Sequence, residues 1–462
     1  MAFEFQEVAI GAGFVGIIFQ NKEPVETMKT KIRYFLDALQ SSFWFLPLVI
    51  IFAAMGMAFL LLFVDGQWSY MPTSGLIWFI LSGGAESART VLSTIASAML
   101  GMATTVFSIT LVVLTLASSQ FGPRLLRNFM YDRLNQVVLG TFIATFVFCL
   151  IVLKAVHSES DYLFVPNLSI LFAELLTIGN VILLIIFIHH TSVSIQADKV
   201  ISDISQQLVK AVRKELPNND QKMVFSEQKN FEQAKETYLY RKTVRNEKNG
   251  YLQAIDYDSL VDFAEDHGLM LEMHYRPGDF LIAGVTLALI NGHKPVTENE
   301  SDAVIDSLII GKIRSPAQDV EFAIHQLVEI AARALSPGVN DPYTALTCID
   351  QLTVPLSYMA QIHFPQGYLY DSKEVVRVST KRLSFDGAMD AAYNLIRQYG
   401  TGSPTILIRL MERFYTMYLL TEDKSHKQTI LRHAKMVHQA GKDSITEAND
   451  LHDLQERFGR FE

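Results

Sequence analysis

Charge is almost missing from residues 40–190 of this 462-residue chain, while residues 191–462 have the mixed composition of an ordinary water-exposed protein. Cysteine is equally scarce. Cys149 and Cys348 are the only two, and their settings differ too much for a disulfide framework or a thiolate metal site. No phosphate-binding glycine loop, GxSxG elbow or HExxH zinc motif occurs, which counts against the commonest enzyme classes. The formal net charge is −9, so no general affinity for nucleic acid is implied. The N-terminus, MAFEFQEVAI, lacks a basic segment ahead of its apolar residues, so the first long apolar run is expected to be kept rather than cleaved. No long apolar run follows residue 190.

Four such runs precede it: Phe43–Val64, Val91–Ala117, Val137–Val156 and Leu168–His189. Each has about twenty residues or more, enough to cross roughly 30 Å of hydrocarbon as a helix. Half of the chain is hydrophobic and its mean hydropathy is positive. These features predict a multi-pass membrane protein whose partner is the lipid bilayer. Lys29, Lys31 and Arg33 precede span one, Arg124, Arg127 and Arg133 follow span two, and His189, His190 and Lys199 follow span four. The other two loops carry little positive charge, so both termini and the C-terminal half are expected to be cytoplasmic. The expected organisation is an interfacial segment over 1–40, where Val8–Phe19 is too short to span, a four-span domain over 41–190, an amphipathic helix and charged linker over 191–249, and an α+β domain over 250–462 that ends largely helical.

Several local signals refine this outline. Trp68, Tyr70, Trp78 and Phe79 suit an interfacial aromatic belt. From Ala85 to Gln120 only Gly101 interrupts a helix, so span two is expected to be long and to project past the bilayer on the outer side, ending at Phe121-Gly122-Pro123. Ala197, Ile201, Ile204, Leu208 and Ala211 recur at three- and four-residue steps. They fit either a short coiled-coil stalk or a helix packed on its own extramembrane domain. YLQAI, LMLEMHY, FLIAGVTLALI and KEVVRVST read as strands, with a helix over Asp258–His267 closed by Gly268 and a turn at Arg276-Pro277-Gly278-Asp279. Ser315 ahead of Pro316, Asp341 ahead of Pro342, Ser384, Ser403 and Asp443 are expected helix caps.

Three constellations are candidates for function. Ser97, Gly101, Thr104, Ser108 and Thr115 share one face of span two, with Ser93, Thr105 and Ser119 beside them. The stripe fits close helix packing, or a polar wall offering hydroxyl oxygens to water or ions. Lys154, Glu174 and Asn180 are polar groups in or near the spans, and a Lys154–Glu174 pair is the expected arrangement, with an ion or proton site as the alternative. On the helix after Ser315, Glu321, His325, Glu329 and Arg333 follow at four-residue steps. A histidine between two carboxylates could hold a metal ion or act as a general base, and the amides at the helix start after Asp341 could take an anion. With Asp319, Asn340 and Asp341 these residues therefore form a candidate binding site for a small ion or anionic ligand, set against the favoured reading of a solvated salt-bridged stripe. Catalytic residues, a metal and a cofactor are not indicated.

Ile313-Arg314-Ser315-x-x-Gln318-Asp319, His325-Gln326-Leu327-Val328 and Arg333-Ala334-Leu335-Ser336-Pro337-Gly338-Val339-Asn340-Asp341-Pro342-Tyr343-Thr344-Ala345 resemble the signature of a bacterial family of predicted inner-membrane proteins, domain of unknown function twenty-two fifty-four. Phe107–Leu111, Ala117–Phe121 and Pro123–Arg127 resemble its membrane-region motif. Ser315 stands where threonine is expected, and Ala323-Ile324-His325 where Gly-Ile-Arg is usual, which speaks against His325 as a shared catalytic residue. The resemblance spans nearly the whole chain and implies a bacterial inner-membrane location. From the residues themselves the leading expectation is a homo-oligomeric channel with a cytosolic assembly or gating domain. A membrane-anchored sensor or enzyme with its site in that domain and a membrane scaffold are the alternatives.

Overall fold

A computed structural model describes residues 43–67, 84–122, 132–159, 162–215, 227–316, 318–362, 364 and 367–461. The four spans are α1 (Phe45–Gln67), α2 (Ala85–Phe121), α3 (Arg133–Ala155) and α4 (Asn167–Ser194), and each is long and apolar enough to cross a membrane. A hairpin of β1 (His157–Glu159) and β2 (Tyr162–Phe164) joins α3 to α4. The aromatic loop residues, Arg124, Arg127 and the N-terminal segment lie outside the described residues.

Polar residues set the helix ends. Asp132 caps α3 through the Leu134 amide at 2.9 Å. Asp65, in the last turn of α1, accepts the Leu168 and Ser169 amides at 3.0 Å and the Ser169 hydroxyl at 2.7 Å, and so caps α4. A carboxylate there satisfies orphan amides and favours the positive end of the helix dipole. α3 packs on α1, α2 and α4, and Leu92, Met99, Phe142, Phe148 and Phe187 fill the interior. Gly140 allows a close crossing of α3 on α1, since a Cβ there would stand 2.9 Å from the Pro47 Cα.

One polar contact sets the relative height of three spans. Asn180 donates to the Thr145 hydroxyl at 2.8 Å and reaches the Met99 sulfur at 3.3 Å. On the side where α2 begins, Arg89 donates to the Val156 carbonyl at 2.8 Å, so α2 and α3 end nearly flush there. On the opposite side, from which the chain leaves α4, the helices differ. From the Asn180 level α4 reaches His190 after about 15 Å, α3 reaches Arg133 after about 18 Å, and α2 continues for about 33 Å to Phe121. His190 and Asp132 approach to 3.5 Å on that side, which confirms the alignment of α3 and α4. The extra length of α2 therefore projects on the α4-exit side, opposite to the side expected from the sequence. The Gly-Gly and Gly-Pro boundaries give the length of this helix but carry no information about its height against its neighbours.

Beyond the spans the elements are α5 (Ala197–Glu215), α6 (Glu227–Glu236), β3 (Tyr240–Arg245), β4 (Gly250–Ile255), α7 (Tyr257–His267), β5 (Leu269–Met273), β6 (Phe280–Leu281), β7 (Thr286–Gly292), α8 (Glu298–Asp306), β8 (Leu308–Gly311), α9 (Val320–Ala334), α10 (Pro342–Gln361), β9 (Tyr368–Tyr370), β10 (Val376–Ser379), α11 (Phe385–Tyr399), α12 (Pro404–Leu420), α13 (Lys424–Ser444) and α14 (Ala448–Gly459). The chain is thus a four-helix membrane domain followed by an α+β part that ends in helices.

The described residues form two compact units. One comprises 227–322 and 364–383. Its five-stranded sheet has the order β3-β7-β5-β10-β9, with only β10 and β5 parallel, and a three-stranded sheet has the order β6-β4-β8. Leu252, Leu260, Leu271, Ile290 and Val378 lie in its core. The expected linker thus contains α6 and β3.

The other unit comprises 43–215, 323–362 and 384–461, so the helical end of the chain groups with the membrane helices. Here α5 buries Ile201, Ile204 and Leu208 against α10, with the Ser205 hydroxyl on the Gln351 carbonyl at 3.0 Å and Arg213 over the Tyr358 ring. The apolar stripe of α5 is used inside the chain, which settles its two readings in favour of packing. Two expected caps move. α9 starts at Val320 under Asp319, because Gln318 pairs with the Ile255 backbone through both its amide atoms and leaves Ser315 outside the helix. Asp443 lies inside α13, and Glu447 caps α14.

Candidate functional site

α2 is two-faced. Leu92, Met99, Ala103, Val106, Ala117 and Phe121 are buried. Ser97, Gly101, Thr104, Ser108 and Thr115 are all exposed on the single chain, as are Ser93, Thr105 and Ser119. The stripe therefore faces none of the chain's own spans. Each hydroxyl donates backwards along its own helix: Ser97 to Ser93, Thr104 to Leu100, Ser108 to Thr104 and Thr115 to Leu111, at 2.9–3.0 Å. With the proton so committed, the hydroxyl oxygen presents its acceptor lone pairs outward. Such a face suits water and cations better than anions. α2 also exposes Leu100, Phe107, Leu111, Val112 and Leu116 beside this stripe, but the outward faces of α1 and α4 lack such a hydroxyl line. They carry Phe52, Phe59, Leu60 and Phe63 on α1 and Leu175, Ile178, Ile182 and Ile185 on α4, the large side chains that hydrocarbon favours.

The intramembrane polar residues separate. Asn180 is buried and clamps α2, α3 and α4 through Thr145 and Met99. Lys154 is exposed in the last turn of α3. Glu174 is half-buried, about 10 Å along α4 from its first residue. The expected pair does not form: no ion pair joins them among the described residues. Lys154 lies close enough to the helix end to reach water without a partner.

The signature residues of α9 meet the far end of α2. The Arg333 guanidinium donates to the Ser119 carbonyl at 3.0 Å, in the last turn of α2. That carbonyl belongs to the orphan set at a helix C-terminus, and a cation there opposes the negative end of the dipole. Gly122 follows at φ 102°, and a Cβ on it would run into the Glu329 carboxylate. A glycine is required on both counts. Ser118-Ser119-Gln120-Phe121-Gly122 and Glu329-x-x-x-Arg333 thus form one clasp. His325 is half-buried one turn before Glu329 on the same helix.

Asp319, Asn340 and Asp341 of the candidate binding set make structural contacts. Asp319, buried in the first unit, caps α9 through the Phe322 amide and pairs with Arg314, which also approaches Glu321. Glu321 in turn pairs with Arg276 at 2.6 Å. Burial would lower the Arg314 pKa, but the Asp319 hydrogen bond and charge outweigh it, and the net direction is up. In the second unit Asp341 caps α10, accepting the Thr344 hydroxyl at 2.5 Å and its amide at 3.1 Å, and these bonds hold its carboxyl below the usual range. Asn340 sits at φ 49° with its amide on the Ser336 carbonyl, so it shapes the turn. The helix start that might have taken an anion is occupied by the chain's own carboxylate.

Sequence reasoning missed Ser119 as the partner of Arg333, Gly122 as the close neighbour of Glu329, Thr145 and Met99 as partners of Asn180, and Asp65 as the α4 cap. A lone aspartate closing an apolar run and a threonine within one were the available signals. The partners themselves are far apart in the chain.

A family model described as "Predicted membrane protein (DUF2254)" matches residues 40–416. An uncharacterised protein of Mycobacterium tuberculosis strain CDC 1551 is 27% identical over 432 residues, covering 92% of this chain and 81% of that protein. An uncharacterised protein of Mycobacterium bovis has the same identity and coverage. No solved structure matches. The apolar spans, the clasp motifs and the extent of the family match lead to one assignment: the chain belongs to the DUF2254 family of predicted membrane proteins.

Proposed function

We propose that this protein is a homo-oligomeric permeation pathway of the bacterial inner membrane, with the outward face of α2 as its wall and the extramembrane part on the cytoplasmic side. One observation carries the reading. The exposed surfaces of α1 and α4 are apolar without a hydroxyl line, whereas that of α2, beside the exposed Leu100, Phe107, Leu111, Val112 and Leu116, carries a line of small and hydroxyl residues, Ser97, Gly101, Thr104, Ser108 and Thr115. Small residues let copies of a helix approach closely around an axis, and outward hydroxyl oxygens replace part of an ion's hydration. The acceptor character of the wall favours cations. Orientation follows from Arg133, His189, His190 and Lys199, which gather at the α4-exit end of the bundle. The clasp of Arg333 on Ser119 gives the extramembrane helices a direct hold on the wall helix, which supports a gating role for them.

The test is cation flux into liposomes holding the purified chain. The expected result is flux above protein-free liposomes, reduced by Thr104→Leu and Ser108→Leu and retained in Phe63→Leu on the lipid face. Flux equal to that of empty liposomes, or indifferent to the α2 substitutions, contradicts the reading.

A further inference from the structure

We infer that the inner end of α2, residues 109–121, is an interface between copies of this chain outside the bilayer, a helical bundle that continues the pathway below the membrane. The inference rests on the homo-oligomer reading and extends it. Its first support is the height of α2. We place one membrane boundary at the level of Asp65, whose carboxylate accepts from Ser169, about 16 Å along α4 from Asn180. A hydrocarbon layer of about 30 Å then ends about 14 Å on the other side of that level, near His190 on α4 and Ser108 on α2. The following stretch, about 19 Å of helix, has left the lipid.

The second support is what that stretch exposes. Leu111 is 48% exposed, Val112 59% and Leu116 44%. Water disfavours such a patch, and lipid tails do not reach it. Its opposite face is already packed through Ala117 and Phe121. The third support is continuity. Ser97, Gly101, Thr104, Ser108, Leu111 and Thr115 follow one another at alternating four- and three-residue steps, the spacing that keeps a seam facing an identical helix in a left-handed bundle. The seam crosses the membrane boundary without a change of face. A second copy of the same helix is therefore the occupant that fits both halves. Within the seam Thr115 continues the hydroxyl line beside Leu111, while Val112 and Leu116 seal its flanks.

Disulfide cross-linking of the full chain in native membranes tests this, in a Cys149→Ala, Cys348→Ala background. Single cysteines are placed at Leu111, Thr115 and Leu116, at Thr104 within the membrane, and at buried Val106 as control. The expected result is a linked dimer from the first three positions and from Thr104, and none from Val106. Linkage at Thr104 alone overturns the extramembrane bundle while the oligomer stands. Linkage at none of them overturns the oligomer as well. If cysteines at Leu111 and Leu116 neither link nor react with a water-soluble maleimide, another segment of the same chain covers the patch, and the inference fails.

Discussion

The Arg333 guanidinium lies 3.0 Å from the Ser119 carbonyl, joining residues 214 positions apart. The bond closes the last turn of the longest span with a residue from the most recognisable extramembrane motif. Removing the side chain in Arg333→Ala should loosen that turn by about 1 kcal/mol, the usual worth of a cation at a helix C-terminus. Hydrogen exchange at the amides of Ser118–Gly122 should quicken, with Arg333→Lys in between. Unchanged exchange there would show that the bond carries no weight.

Gly122 supplies a sharper test of the same clasp. Gly122→Ala meets both a positive φ and the Glu329 carboxylate, and should cost about 2–3 kcal/mol. Adding Glu329→Ala removes the collision but not the backbone strain. The double variant should therefore recover part of the lost thermal stability and not all of it. Full additivity of the two losses would place Glu329 elsewhere.

Asn180 holds three spans at one level. Asn180→Leu should lower stability in detergent by about 0.5–2 kcal/mol, the range for a hydrogen bond between membrane helices. Thr145→Val should lose a similar amount, and the double variant little more than either single one, since both act through the same bond.

Much of the fold was legible in the chain. The four spans begin and end within a few residues of their apolar runs, because hydropathy over about twenty residues leaves little choice of conformation. The helix Tyr257–His267 was legible to within a residue from its closing glycine, while its cap, Asp256, was not singled out. β3 was not, because it is an edge strand with only Val244 buried, and it lacks alternation for that reason. The caps at Ser315 and Asp443 were misplaced because capping signals rank residue types, while Gln318 and Glu447 decide the start through particular contacts. The three- and four-residue spacing of the α2 stripe was legible, but that these residues turn away from the chain's own spans depends on which side of α2 its neighbours pack. Within the candidate binding set, that Asp319 and Asp341 cap helices was not legible for a similar reason, since the cap is decided by particular amide contacts and not by residue type.

A buried histidine makes stability depend on pH. His433 on α13 lies 3.2 Å from Asp390, but burial, aided by Arg432, lowers its pKa to about 4. The unfolded chain takes up this proton below about 6.5 and the folded chain only near 4. Stability from this group is thus complete above pH 6.5, falls by up to about 1.4 kcal/mol per unit between 6.5 and 4, and levels off below. Denaturant unfolding at several pH values should show the slope, and His433→Gln should flatten it. An equal slope in the variant would assign the effect to other groups.

The most direct measurement for the account as a whole is thiol accessibility along α2 in sealed membranes, with Cys149 and Cys348 replaced. Cysteines at Thr104, Ser108 and Thr115 should react with a small, charged, water-soluble reagent, while cysteines at Val106 and Ala103 should stay protected. If Thr104 and Ser108 are as unreactive as Val106, the outward face of α2 meets lipid or a dry helix contact, and the permeation pathway is contradicted.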